Sequence, residues 1–157
     1  MSKKAIVYYS YGNNTRKIVD EILKNINADV YEIKPKTPFI EDYETLVKQE
    51  ENKQGQNEII EIENPKIKLK DYDTIILGTP VWWYTMSSPI RSFLKQNDFT
   101  GKTIIPFATN GGYIGTTFED IKKLTPGATI KNEMDIRFNG NNMETSLVGV
   151  TDWIDSI

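Results

Sequence analysis

Neither cysteine nor histidine occurs in this chain, and the two absences remove most of the usual catalytic repertoire. Disulfides, thiolate nucleophiles, zinc sites built on Cys or His, and Ser-His-Asp triads are all excluded. Acid–base chemistry near neutral pH would have to come from a shifted carboxylate, lysine or tyrosine. A carboxylate-rich Mg²⁺ or Ca²⁺ site is the metal option left, and no D-x-D-x-D spacing supplies it, so no metal is expected. Long hydrophobic runs are also missing. Stretches such as Thr74 to Leu77 fall far short of a bilayer, so no membrane partner is expected. Met1-Ser2-Lys3-Lys4 leads into a short strand rather than a signal peptide, which makes the cytoplasm the expected location. Hard chemistry on such a chain implies a borrowed cofactor.

What is present fits a single globular domain spanning residues 1–157, with 38% hydrophobic and 26% charged residues. The formal net charge of −3 argues against nucleic acid as a partner. Acidity is concentrated between Glu41 and Asn64, where eight Asp/Glu face two Lys, a local balance of −6. That stretch reads as a solvated helix and loop, with docking of basic partners as the less common alternative.

Strand and helix signals alternate along the chain. Ala5 to Tyr9 is a β-branched and aromatic strand. Ile18, Val19, Ile22, Leu23 and Ile26 then fall on one helical face. Asp29 to Lys34 reads as a second strand and Asp42 to Gln54 as a polar helix, followed by a long polar connection to Lys70. The unbroken apolar run within Asp73 to Thr79 marks a fully buried strand. Ser88 as N-cap with Pro89 at the first helical position opens a helix through Leu94. Thr103 to Ala108 is a fourth strand. Thr116 and Glu119 form a candidate capping box for a helix ending at Leu124. Ala128 to Arg137 supplies a fifth, edge strand, and Glu144 to Ser156 a last helix. Five strands alternating with helices predict a parallel sheet covered on both faces.

In such a sheet a ligand sits beyond the carboxyl ends of the strands. Three loops lie there: Ser10 to Thr15, Thr79 to Ser87, and Thr109 to Gly115. The first joins a strand to a helix start through Ser10, Tyr11, Gly12, Asn13, Asn14 and Thr15. Its amides and hydroxyls, on the positive end of a helix dipole, suit a phosphate. An ordinary turn capped by Asn or Thr would use the same residues. In the second loop, Trp82, Trp83 and Tyr84 cannot all turn inward, so at least one is exposed or covers a ligand. One of the two tryptophans is equally at home as a satellite of the core. Gly111, Gly112 and Gly115 in the third loop let backbone approach a flat ring and offer N–H donors, or make a plain flexible turn. Together the three describe a phosphate cradle, an aromatic wall and a glycine-lined edge, the requirements of a mononucleotide with a large aromatic head.

Over nearly its whole length the chain resembles the flavodoxins, in particular a short flavodoxin-like branch with a Pro-x-Trp-Trp segment. The matching pieces are Tyr9 to Thr15, Gly78 to Trp83, Ser88-Pro89-Ile90-Arg91, and Pro106 to Gly112. The resemblance implies a flavodoxin-like, doubly wound α/β fold with strand order 2-1-3-4-5, and FMN as cofactor. Ser10, Asn14 and Thr15 match the family's phosphate loop. Thr79, Pro80, Val81 and Trp82, with Trp83 beside them, match the loop beneath the ribityl chain and ring. Thr109, Gly111, Gly112 and Tyr113, with Asn110 and Gly115 in the same loop, match the ring's other edge. The chain departs from the family in three places. Gly12-Asn13 replaces the usual hydroxyl-then-Gly pair, which removes one phosphate hydrogen bond worth about 1.5–3 kcal/mol. Tyr84 stands where many relatives have Gly, and Asn110 where many have His.

The resemblance implies an electron carrier that meets redox partner proteins transiently. The alternative on the same fold is an NAD(P)H-dependent FMN quinone reductase, with Tyr113, Asn110 and Arg91 lining the nicotinamide space. A phosphoacceptor regulator ranks last, because Tyr8-Tyr9-Ser10 and Gly78-Thr79-Pro80 supply no acidic site.

Overall fold

Unbroken apolar segments form the centre of the molecule. The structure is a computed structural model that describes residues 3–37 and 59–157. Strand β1 (Lys4–Tyr8) lies between β2 (Asp29–Glu32) and β3 (Thr74–Trp82), parallel to both, with Ile6 opposite Val30 and Ile76. On its far side β3 pairs in parallel with β5 (Thr103–Asn110), Gly78 opposite Phe107. Next to β5 run β6 (Thr129–Ile130) and β7 (Met134–Asn139), both parallel to it. Two short antiparallel strands complete the sheet: β4 (Thr85–Met86) on β3 and β8 (Asn142–Met143) on β7. The path through the sheet is β2-β1-β3-β5-β7-β8.

Helices α1 (Asn14–Leu23) and α4 (Leu147–Asp155) cover one face, and α2 (Ser88–Lys95) and α3 (Thr117–Leu124) the other. Alternation along each strand divides the core accordingly. Ala5, Val7, Ile75, Leu77 and Ile104 meet Ile90, Phe93 and Ile121 on the α2/α3 side. Ile6, Tyr8, Ile76, Ile105 and Phe107 meet Ile18, Ile22, Val150 and Trp153 on the α1/α4 side.

The mostly parallel α/β sheet matches the sequence pattern, but eight strands stand where five were expected among the described residues. The edge strand read as Ala128 to Arg137 is broken. Asn132 turns left-handed (φ 54°), and its carbonyl accepts the Trp153 indole N–H at 2.6 Å. The expected strand end at Thr79 moves to Trp82, because β3 runs on into a hairpin with β4. Helix α2 starts one residue earlier than read, with Ser87 in the N-cap position but making no side-chain capping bond, and Pro89 still in its first turn. The capping box does not form. The Thr116 hydroxyl donates to Asp120 at 2.7 Å instead. The helix expected at Asp42 to Gln54 lies outside the described residues. The connection that follows contributes Ile62 to the core and pairs it with Pro35.

Candidate functional site

The carboxyl ends of β1, β3 and β5 open on one side of the sheet, and the three expected loops meet there. After β1 the chain passes through Ser10 to Asn13 into α1. Gly12 takes φ 78° with open space where a side chain would project, so backbone lines the loop there. The first helical bond runs from the Lys17 N–H to the Asn13 carbonyl, which leaves the amides of the first turn without intrahelical acceptors. The Ser10 hydroxyl accepts from the Arg16 N–H and donates to the Gly12 carbonyl, both at 3.3 Å. Nearby cations are already engaged. Arg16 binds Glu32 at 2.8 Å, a contact that raises its pKa and holds the guanidinium charged. Lys17 donates to the Asn141 carbonyl at 3.1 Å.

Thr15 is buried, and its hydroxyl lies 2.7 Å from that of Thr109 at the end of β5. The pair ties the first loop to the third. Two hydroxyls carry two protons, and only one is used between them, so the second is available to an acceptor beside the pair. Asn14 has a similar surplus. One amide proton goes to the Gly140 carbonyl at 2.9 Å, and its Oδ1 is buried without a partner among the described residues.

The second loop is a β-hairpin. Val81 pairs with Met86 and Trp82 with Thr85, and Trp83-Tyr84 forms the turn with φ of 51° and 64°. Positive φ at both central residues is the twist-compatible hairpin turn, normally supplied by Asn-Gly. Thr79 sits at the root of the hairpin, fully buried. Its hydroxyl donates to the Pro80 carbonyl and accepts from the Ser87 N–H. Trp82 lies edge-on to Tyr9 at 5.6 Å and to Tyr11 at 6.1 Å, which joins the second loop to the first. Tyr84, 59% exposed, meets Tyr113 of the third loop edge-to-face at 5.5 Å.

In the third loop Gly111 and Gly112 have open space above their α-carbons, and Gly112 has φ 148°. Asn110 does not face that space. It is buried, donating to Asp135 of β7 at 2.5 Å and accepting the Gly112 N–H at 2.9 Å. Its role here is to shape the glycine turn. Arg91 is likewise removed from the mouth. It is 5% exposed and donates to the Thr85 hydroxyl behind the hairpin at 3.2 Å.

The structure thus brings all three loops together through Thr15–Thr109, Trp82–Tyr9–Tyr11 and Tyr84–Tyr113. Two groups were missed from sequence. The first is the β7–β8 turn, where Gly140 and Asn141 accept from Asn14 and Lys17. Gly140-Asn141 between alternating residues was the available signal for that hairpin. The second is the joining of Arg91 and Thr116, read from sequence in other roles, with Thr85 and Asp120 behind the Trp83-Tyr84 turn, for which no local signal existed. A cavity of about 350 Å³ lined by Lys36, Ile62, Asn64, Pro65, Ile67, Gln96 and Asn97 contains none of the loop residues.

The residues present fit a phosphate attached to a flat ring. First-turn amides, the spare hydroxyl proton of the Thr15–Thr109 pair and the open backbone at Gly12 suit the anion. The uncovered glycines and the exposed tyrosine pair suit the ring. Among the described residues no cluster of acidic groups is arranged for a metal ion, and no helix is long and apolar enough to cross a membrane.

Comparison with known proteins agrees with this fold. The family model described as Flavodoxin matches residues 3–157. No curated protein sequence matches the chain significantly. Among solved structures, the chain is similar to a candidate flavoprotein from Bacteroides eggerthii DSM 20697. The identity is 25% and the TM-score 0.81, over 100% of this chain and 98% of that one. It is also similar to a flavoprotein in complex with FMN from Lactobacillus acidophilus NCFM (23%, 87% and 93% covered, TM-score 0.73). A third is the Fusobacterium nucleatum flavodoxin bound to flavin mononucleotide (16%, 99% and 96%, TM-score 0.58). The last two likenesses are ones of fold.

Proposed function

The chain belongs to the flavodoxin family, and from that premise we propose that it binds FMN at the ends of β1, β3 and β5 and passes electrons between redox partner proteins. The observation that carries this reading is the cross-tying of three loops at one sheet end, by the Thr15–Thr109 hydroxyl pair and the Tyr84–Tyr113 contact. Ser10, Gly12, Asn13, Asn14 and Thr15 hold the phosphate through the helix start. Tyr11, Pro80, Val81, Trp82 and Trp83 form the wall on one side, with Thr79 fixing the root of the hairpin. Thr109, Asn110, Gly111, Gly112, Tyr113 and Gly115 shape the other. FMN, when bound, supplies one-electron chemistry that none of these side chains has.

The side chains around the site then act mainly by exclusion. Arg16 is paired with the Glu32 carboxylate, which offsets its charge, while Lys17 is held by the neutral Asn141 carbonyl at the phosphate end, so positive charge beside the ring is sparse. A low reduction potential is the consequence. The reductase alternative asked Tyr113, Asn110 and Arg91 to line a nicotinamide space, and of these only Tyr113 is exposed at the mouth. Asn110 and Arg91 are buried in hydrogen bonds away from the mouth, which favours the carrier.

Titration of FMN into the purified protein, followed by flavin fluorescence quenching, tests binding. A colourless product with no quenching refutes the reading. Redox titration of the complex should resolve two one-electron steps; a single two-electron transition speaks against a carrier. Fast bleaching of the bound flavin by NADH or NADPH in stopped flow would favour the reductase.

A further inference from the structure

Trp83 and Tyr84 stand side by side in left-handed backbone, which bulky residues adopt only under external constraint. The constraint converges on one carboxylate. Asp120, in the first turn of α3, accepts on Oδ2 from the Thr85 hydroxyl at 2.6 Å and from the Thr116 hydroxyl at 2.7 Å. Thr85 directly follows the turn. Thr116 holds the turn itself, since its N–H donates to the Tyr84 carbonyl at 2.8 Å. Arg91 approaches from α2 and donates from Nη2 to the Thr85 oxygen, while its Nε is buried with no partner among the described residues. Burial pushes the guanidinium pKa down, and the Asp120 charge works against that push.

A turn serving only to reverse the chain would carry Asn-Gly and need no such clasp. Here two large aromatics occupy the strained positions, and the Tyr84 ring is mostly in solvent, so burial of that ring does little for the fold. The strain is intelligible if the rings are presented to something.

We propose that Asp120 and Arg91 are positioning residues for the ring-binding side of the site, clasping the Trp83-Tyr84 turn so that the aromatic wall exists before the flavin arrives. The proposal rests on the FMN reading above. A protein whose competent conformation is only partly populated binds more weakly by that fraction, so the clasp acts on affinity.

Three variants of the full chain test this: Thr85→Val and Asp120→Ala, which each remove hydrogen bonds of the clasp, and Thr85→Ser, which keeps the hydroxyl. Amide hydrogen exchange at Thr116 in FMN-free protein reports the turn, and fluorescence quenching gives the FMN dissociation constant. Thr85→Val and Asp120→Ala are each expected to speed Thr116 exchange and weaken FMN about tenfold, with Thr85→Ser restoring both. Exchange and affinity both within about twofold of the parent in either variant that folds would overturn the proposal. Faster exchange at unchanged affinity overturns it too, since the turn would then be clasped without consequence for the ring. Failure of the parent protein itself to bind FMN would strike the functional reading instead, while the exchange data would still report on the clasp.

Discussion

At Gly115 the chain turns left-handed (φ 57°), with the carbonyl oxygen and Cβ of Tyr84 directly over its α-carbon. A side chain there must displace the hairpin turn. Gly115→Ala is expected to lower stability by about 1–3 kcal/mol through overpacking, read as a lower urea midpoint at unchanged slope. A second residue-scale prediction concerns Tyr72. Its hydroxyl donates to Asp29 at 2.7 Å and so accepts from Tyr31 at 2.6 Å. Burial first, then these bonds, raise its pKa. A raised folded pKa means that the contribution is whole below the ordinary tyrosine pKa, about 10, and is lost as pH rises past it. The denaturation midpoint should therefore fall above that pH, and Tyr72→Phe should flatten the fall. Sequence reading named the three loops that the structure brings together, because strand ends and glycines are local features. It misjudged Asn110 and Arg91, whose directions are decided by Asp135 and Thr85, residues of other elements.

Elements show the same division between local and distant causes. The run Ile75, Ile76, Leu77 declares a buried strand on its own. Where that strand ends could not be read, because Trp83-Tyr84 is no turn signal and becomes one only against Thr116 and Gly115. Likewise the fifth strand looked continuous until Asn132 was claimed by the Trp153 indole. Within β3, Gly78 is where two elements meet most closely, since a Cβ there would overlap the Phe107 ring. Gly78→Ala is expected to destabilise by about 1–3 kcal/mol, and to loosen Phe107 from Trp153, its edge-to-face neighbour at 5.5 Å. Near-UV circular dichroism and the urea midpoint together would register both effects.

For the molecule as a whole, binding and folding are linked. If FMN joins the three loops, it stabilises the native state by about 2.7 kcal/mol at one hundred times its dissociation constant. For a chain of this size that is a rise in Tm on the order of 5–10 °C, dependent on FMN concentration. Differential scanning calorimetry with and without FMN checks it, and a Tm indifferent to FMN contradicts the assigned site. The net charge of −3 is modest. If the protein passes electrons to a basic partner, as proposed, the rate should slow with added salt only mildly, because long-range steering is weak at that net charge.

The Thr15–Thr109 contact has a consequence of its own. Its internal polarity is reversible: either oxygen can give the proton, and rotating two O–H bonds swaps the roles with no heavy atom moving. The nest can therefore aim its remaining proton from the helix side or from the strand side. A guest anion that changes its ionisation, or settles at a slightly different angle, can be followed by rotor motion alone while the backbone around it stays still.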